Sequence, residues 1–557
     1  MDLLQTGIVL LMVVTLAVPM GKYIAAVFSL ESTKLDKGFG KIEGIIFRLG
    51  GIAGDSMTWK QYAKAVIISN FVMFGAGYLI LRLQTFLPLN PNEIGNMDPL
   101  LSFNTAASFL TNTNLQHYSG ESGLTYLSQM MVIMFLMFTT PATGLAVCMA
   151  FIRGLTGKES LGNFYVDLVR AHTRILLPLS FLVSMLLVSQ GVPQTLSPNV
   201  EAMTQEGNVQ QIARGPVAAL ESIKHLGTNG GGFFGVNSSH PFENPTPLSN
   251  VIEILSMFLL PASLPFAFGS MSGRKKTGRM LFGAMAIMFL GFLSVAYISE
   301  TYGNMALQEA GLSQEEGNME GKEVRFGIAQ STLFTAVTTA ATTGTVNNMH
   351  DTLTPLGGMV PVAQMMLNCV FGGDGVGLIN ILMYGILAVF IAGLMVGRTP
   401  EFLGRKIEAG EMKLIAITIL IHPLIILVPS AIALATGMGS AAVSNPGYHG
   451  ISQVLYEFTS SAANNGSGFE GLGDNTPFWN ISTGLVMLFG RYFSIIAMLA
   501  VGASMMVKKP VPETIGTFKT DNSTYMAILL GTVLVVGALT FFPVLALGPV
   551  ADALTLR

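Results

Sequence analysis

The run Gly227-Thr228-Asn229-Gly230-Gly231-Gly232 sets six residues that are almost all backbone between two apolar segments. Its side chains offer no acid, imidazole or thiol, so the chemistry available is coordination by neutral oxygen rather than bond making. Three other runs close in the same way. Aligned, the four read "TAASFLTNTN", "ESIKHLGTNG", "TAVTTAATTG" and "YEFTSSAANNG", with endpoints at Asn114, Gly230, Gly344 and Gly466, roughly 115 to 120 residues apart. Successive carbonyls that point one way can replace an ion's hydration shell. Gly permits the backbone angles this needs, and Asn tolerates positive φ well, so Asn114 departs only slightly from the other three. A single such loop reads as an ordinary surface turn, whereas four at a regular period read as a pore lined by backbone oxygen.

The elements that must position these runs follow from composition. The 557-residue chain is 51% hydrophobic and 11% charged, with a mean hydropathy of +0.57, far more apolar than one soluble core can use. It is expected to be an all-α polytopic membrane protein. A net charge of −3 gives nothing for nucleic acid to recognise, and membrane lipid is the surrounding expected. Cys148 and Cys369 lie in apolar runs and read as small hydrophobes. Apolar stretches of membrane-crossing length fall at 3–30, 62–81, 126–151, 175–189, 251–268, 280–298, 379–396, 414–434, 478–507 and 525–547, about ten crossings. The first lacks a basic leader and a cleavage pattern, so it reads as a retained helix.

Every second connection is rich in Lys and Arg, as in Lys34 to Lys60, Arg153 to Arg174 and Arg274 to Arg279. Cytoplasmic loops carry that bias, which puts both termini outside. Each Thr/Asn/Gly run lies in a connection of the opposite kind and is preceded by about ten mixed residues, half a span. Such half-helices aim their negative C-terminal ends at a cation. Asp98 and Pro99 supply a cap and a first-turn proline for the first of them. The predicted plan is therefore four parallel helix–pore loop–helix repeats (62–152, 175–270, 280–397 and 414–507) around one central pore. An extra helix stands at each end (1–30 and 525–547).

Two features break the pattern. From 356 to 396 the chain is apolar for about twice the length of a span, yet only one crossing fits the charges. "FGGDGVG" (Phe371 to Gly377) sits in its middle and should break the helix where it lines a site. Arg491, in "LFGRYFS", is a charge inside a span, which is costly unless it faces the bundle interior or water; snorkelling to an interface is the alternative.

The runs "NTAASFLTNTNLQHYSGE", "GTNGGGFF", "SSHPFENPT", "NMEGKEVRFG", "GLMVGRTPEFLGRKI" and "SSAANNGSGF" resemble the potassium-binding (A) subunits of the Kdp potassium-transporting P-type ATPases. The resemblance extends along essentially the whole chain. It implies a selectivity filter for K+ at Asn112, Thr113 and Asn114; Thr228, Asn229 and Gly230; Thr342, Thr343 and Gly344; and Asn464, Asn465 and Gly466. Gln116 would sit at the filter mouth. A gate below the filter would include Gly372, Gly373, Asp374, Gly375 and Gly377, with Arg491 as a fixed cation near the inner pore. The chain departs from the family pattern with an acid at Asp374, where an uncharged residue is expected.

The implied partners are a separate P-type ATPase catalytic subunit that uses the ATP and small accessory membrane subunits. The implied location is the plasma membrane of a bacterium or archaeon, with K+ as the transported ion and no covalent cofactor. A self-sufficient potassium channel or cation symporter of the same superfamily would share the filter and need no ATPase. The chain carries no G-x-x-x-x-G-K-[ST], no H-E-x-x-H and no "DKTG" run, so it is expected not to be an enzyme on its own. An intramembrane hydrolase would need His, Asp or Glu clustered on membrane helices, and the seven His are scattered in sequence.

Overall fold

The computed structural model describes residues 2–31, 33–512 and 517–556. Among these, ten helices are long and apolar enough to cross a membrane: Leu3–Val27, Trp59–Phe86, Tyr126–Thr156, Phe164–Ser189, Pro247–Met271, Lys275–Glu309, Val376–Met395, Ala409–Ala435, Pro477–Met506 and Ser523–Thr555. They coincide with the ten expected spans. The fourth begins at Phe164 rather than at 175, because its charges are neutralised by partners no hydropathy window can see. Asp167 pairs with Arg153 at 2.7 Å, and Arg174 with Glu43 at 2.6 Å. Asn163 caps this helix, its side chain accepting from the amides of Tyr165 and Val166.

Shorter helices at Pro99–Leu110, Val217–Leu226, Gly327–Ala340 and Tyr448–Ala463 lead into the four Thr/Asn/Gly runs. The first starts as its sequence requires: the Asp98 carboxylate accepts from the Leu100 and Leu101 amides, with Pro99 in the first turn. After each run the chain enters a helix through a threonine cap. Thr125, Thr246, Thr354 and Thr476 accept from the backbone amides of Ser128, Ser249, Gly357 and Trp479. The same device thus appears at the same place four times.

Tyr126–Thr156 and Pro247–Met271 form the interior, with 78% and 72% of their most apolar windows buried, against 22% for the first and last spans. Outward faces such as Leu11, Phe71, Phe181 and Leu539 stay exposed, as lipid-facing surfaces must. Small residues let helices cross closely. A Cβ on Gly154 would come within 2.5 Å of the Gly502 carbonyl oxygen, and one on Gly21 within 2.7 Å of Phe266 Cβ.

The long apolar segment 356–396 is two helices, Pro355–Leu367 and Val376–Met395, with the expected break between them. An amphipathic helix, Leu35–Leu49, not expected from sequence, follows the first span, with Ile42, Ile45 and Leu49 exposed beside Lys37, Lys41 and Arg48. Two short antiparallel hairpins, Val200–Met203 with Val209–Ile212 and Glu401–Phe402 with Arg405–Lys406, are minor additions to the all-α plan.

Candidate ion-coordination site

At the end of each short helix the chain turns left-handed. Asn112, Thr228, Thr342 and Asn464 have φ of 63°, 48°, 46° and 55°. Two residues later Asn114, Gly344 and Gly466 are left-handed again, with φ of 60°, 95° and 105°. The residues between them are not. Gly230 is the exception, since it does not share the positive φ of its counterparts. Its glycine answers to space instead: a Cβ there would lie 2.7 Å from the Thr113 carbonyl oxygen and 3.0 Å from that of Asn465.

The four loops meet. A Cβ on Gly344 would overlap the Asn465 carbonyl and sit 2.8 Å from Gly230 Cα, and one on Gly466 would overlap the Thr113 carbonyl. Side chains join the loops, or the segments flanking them, to one another. Asn112 Nδ2 donates to the carbonyls of Gly227 (3.2 Å) and Thr228 (3.0 Å). Ser238 and Thr345 share a hydroxyl–hydroxyl bond of 3.2 Å. Asn465 Nδ2 donates to the Thr338 carbonyl (3.2 Å), and Asn464 Nδ2 to Thr113 Oγ1 (2.9 Å). Asn229 Nδ2 reaches outward to the Met137 carbonyl at 3.1 Å.

With the side chains so engaged, no hydrogen bond among the described residues ends on the carbonyl oxygens of Thr113, Asn229, Thr343 or Asn465, all fully buried. Buried carbonyls without a donor are costly and uncommon. A dehydrated cation is a partner that four converging sets of them can share.

Gln116 clamps loop one to loop two: its Oε1 accepts from the Gly232 amide (2.9 Å) and its Nε2 donates to the Gly232 carbonyl (3.3 Å). The break at Gly372 to Gly377 lies directly against the same loops. The Gly372 amide donates to the Ala340 carbonyl (2.7 Å) and the Asp374 amide to Thr228 Oγ1 (3.1 Å). A Cβ on Gly373 would stand 2.7 Å from Thr342 Oγ1. Gly372 and Gly375 take φ of 65° and 88°, and a Cβ on Gly377 would overlap the Phe371 carbonyl. The Phe371 ring anchors the turn against Phe258 at 4.6 Å. Both carboxylate oxygens of Asp374 are buried without a hydrogen-bond partner.

Arg491 is buried rather than snorkelling, and its Nη2 donates to the Thr140 carbonyl at 3.1 Å. Gly144 brings it to the break: a Cβ there would meet both the Asp374 carbonyl and Arg491 Nη2.

Two buried clusters escape sequence reading. Lys224 pairs with Glu221 and Glu243, each at 2.8 Å, behind the second loop. The i, i+3 spacing of Glu221 and Lys224 was the available signal, but Glu243 arrives only through the fold. His117 meets Glu457 and Asp474 just past the first loop. Burial opposes its charge, but the carboxylates of Asp474 and Glu457 outweigh that and push its pKa up to about 9.

Ten crossing helices, four short helices and their converging loops define a polytopic helical membrane protein with the fold of a potassium transporter. The structure resembles the crystal structure of the potassium transporter TrkH from Vibrio parahaemolyticus, with a TM-score of 0.55 over 88% of this chain and 96% of that one. At 16% identity the likeness is one of fold alone. The chain belongs to the potassium-transporting ATPase A subunit family, which it matches over residues 7–554. A relative from Geobacillus kaustophilus (strain HTA426), 62% identical over 555 residues and 99% of each chain, is named potassium-transporting ATPase potassium-binding subunit.

Proposed function

We propose that this chain is the potassium-binding and translocating subunit of an ATP-driven potassium uptake system. It takes K+ from outside into a filter of four pore loops and passes it to a separate P-type ATPase subunit, with small accessory membrane subunits completing the assembly. Its setting is the plasma membrane of a bacterium or archaeon, with both termini outside. Its units are the repeats 62–152, 175–270, 280–397 and 414–507.

The observation that carries the reading is the meeting of the loops that bear the buried, donor-free carbonyls of Thr113, Asn229, Thr343 and Asn465. Family membership and the relative's name support potassium as the ion and an ATPase as the partner. The glycine break at Gly372 to Gly377, which bonds to Ala340 and to the Thr228 hydroxyl, serves with the buried Arg491 as the gate.

The test is co-expression with a P-type catalytic subunit and reconstitution into vesicles. The expected result is a co-purifying complex whose potassium uptake requires ATP, and no ATP hydrolysis by this chain alone. Sustained potassium uptake by the chain without partner or ATP would identify a self-sufficient channel or symporter instead.

A further inference from the structure

His117, Glu457 and Asp474 come from three separate places: the segment after the first loop, the fourth short helix, and the connection after the fourth loop. His117 Nδ1 lies 2.8 Å from Asn480 Oδ1. An amide oxygen only accepts, so Nδ1 carries a proton. Asn480 is itself oriented, its Nδ2 donating to Asn475 Oδ1 at 3.1 Å. That leaves His117 Nε2 facing Glu457 Oε1 at 3.2 Å and Asp474 Oδ2 at 3.8 Å. A neutral imidazole would point a lone pair at two carboxylates, so the three atoms hold a positive charge between them, either a proton on Nε2 or a metal ion.

The spacing suits a metal. The three ligand atoms lie within 4.8 Å of one another. A tetrahedral zinc ion with N and O ligands at about 2.0–2.1 Å separates them by about 3.3 Å, a distance bracketed by the 3.2 and 3.8 Å seen here. A ring N–H held by a fixed oxygen is also how metal-bound histidines are oriented. Glu457 and His117 are buried, while the Asp474 side chain is 25% exposed and gives the site an entrance.

We propose that His117, Glu457 and Asp474 form a zinc site open to the outer side of the loops, with water in the fourth position. Bound zinc ties the segment after loop one to the fourth short helix. It also adds positive charge near the entrance, because His117 follows Asn114 by three residues, at most about 11 Å along the chain. Zinc therefore antagonises potassium binding. This consequence rests on the filter reading, while the metal site does not.

The test uses the full-length chain, stripped with a chelator and dialysed against buffered zinc, with bound metal measured directly. One zinc per chain is expected, bound about tenfold or more weakly by Asp474→Asn and by His117→Gln, with an X-ray absorption spectrum showing one imidazole among oxygen donors. Asp474→Asn, at a partly exposed position, keeps the test sound if His117→Gln disturbs folding. No zinc uptake, or equal uptake by wild type and both variants, overturns the site and leaves a plain histidine ion pair. Potassium affinity is read separately with and without zinc. A loss of at least about threefold in wild type and none in Asp474→Asn supports the antagonism; zinc bound at this site with potassium affinity unchanged refutes it.

Discussion

The second and third loops are built from nearly the same residues, Thr228-Asn229-Gly230 and Thr342-Thr343-Gly344, and they reach different backbones. Gly344 is left-handed at φ 95°, whereas Gly230 is not left-handed and is hemmed in by carbonyls of loops one and four. The helices that follow also differ: Pro247–Met271 runs unbroken, while its counterpart is interrupted between Leu367 and Val376. The same letter therefore meets a steric constraint in one loop and both a torsional and a steric one in the other. Repetition in sequence fixes where a loop occurs without fixing what each position must satisfy.

Substitution separates the two. Gly344→Ala meets both penalties: a strained positive φ costing about 1–3 kcal/mol and overlap with the Asn465 carbonyl costing a similar amount. Potassium affinity, measured by calorimetry on protein with wild-type helicity, is expected to fall about a hundredfold or more. Next in size is Arg491→Gln. A positive charge about 8 Å from a descending ion raises its energy by about 2 kcal/mol at an effective dielectric near 20, so passive cation leak through vesicles should rise, by no more than about thirtyfold. Deleting the Gly372 to Gly377 segment as well should raise it further. An unchanged leak in both variants would remove these residues from the gate.

Gly230→Ala carries only the steric term, and an affinity loss of about tenfold is expected. If Gly230→Ala proved worse than Gly344→Ala, the contrast between the loops would be broken. The smallest effect belongs to Asn114→Gly. The left-handed φ of 60° suits glycine, and the Asn114 amide has no hydrogen-bond partner to lose, so affinity should stay within about threefold of wild type.

Much of this was legible in the sequence, for identifiable reasons. Membrane spans declare themselves through length and hydropathy, and the Asp98-Pro99 start is a local rule that tertiary context leaves intact. Left-handed positions were legible where Asn or Gly held them, but Thr228 and Thr342 adopt positive φ with a β-branched side chain, which no propensity favours. The four threonine caps at Thr125, Thr246, Thr354 and Thr476 are a further repeated signal in the sequence. What could not be read is long-range pairing. Glu43 with Arg174, Lys224 with Glu243, and His117 with Glu457 join residues whose separation in sequence carries no mark of contact. The start of the fourth span and the role of Gly230 fell outside sequence reading for the same reason, whereas the amphipathic Leu35–Leu49 helix carries a local periodic signal.

Four bonds close on themselves: from the first loop to the second, from Ser238 beyond the second loop to Thr345, from the fourth loop to Thr338 in the helix leading into the third, and from the fourth loop back to the first. A closed hoop of this kind has one circumference rather than four independent radii. Loosening any one link lets the whole ring breathe, so the second cut costs less than the first, and substitutions at Asn112 and Asn464 combined should weaken potassium binding by less than the product of their separate effects. In the proposed filter, discrimination by size would then belong to the circumference as a mechanical property, held by three side-chain amides and one hydroxyl pair.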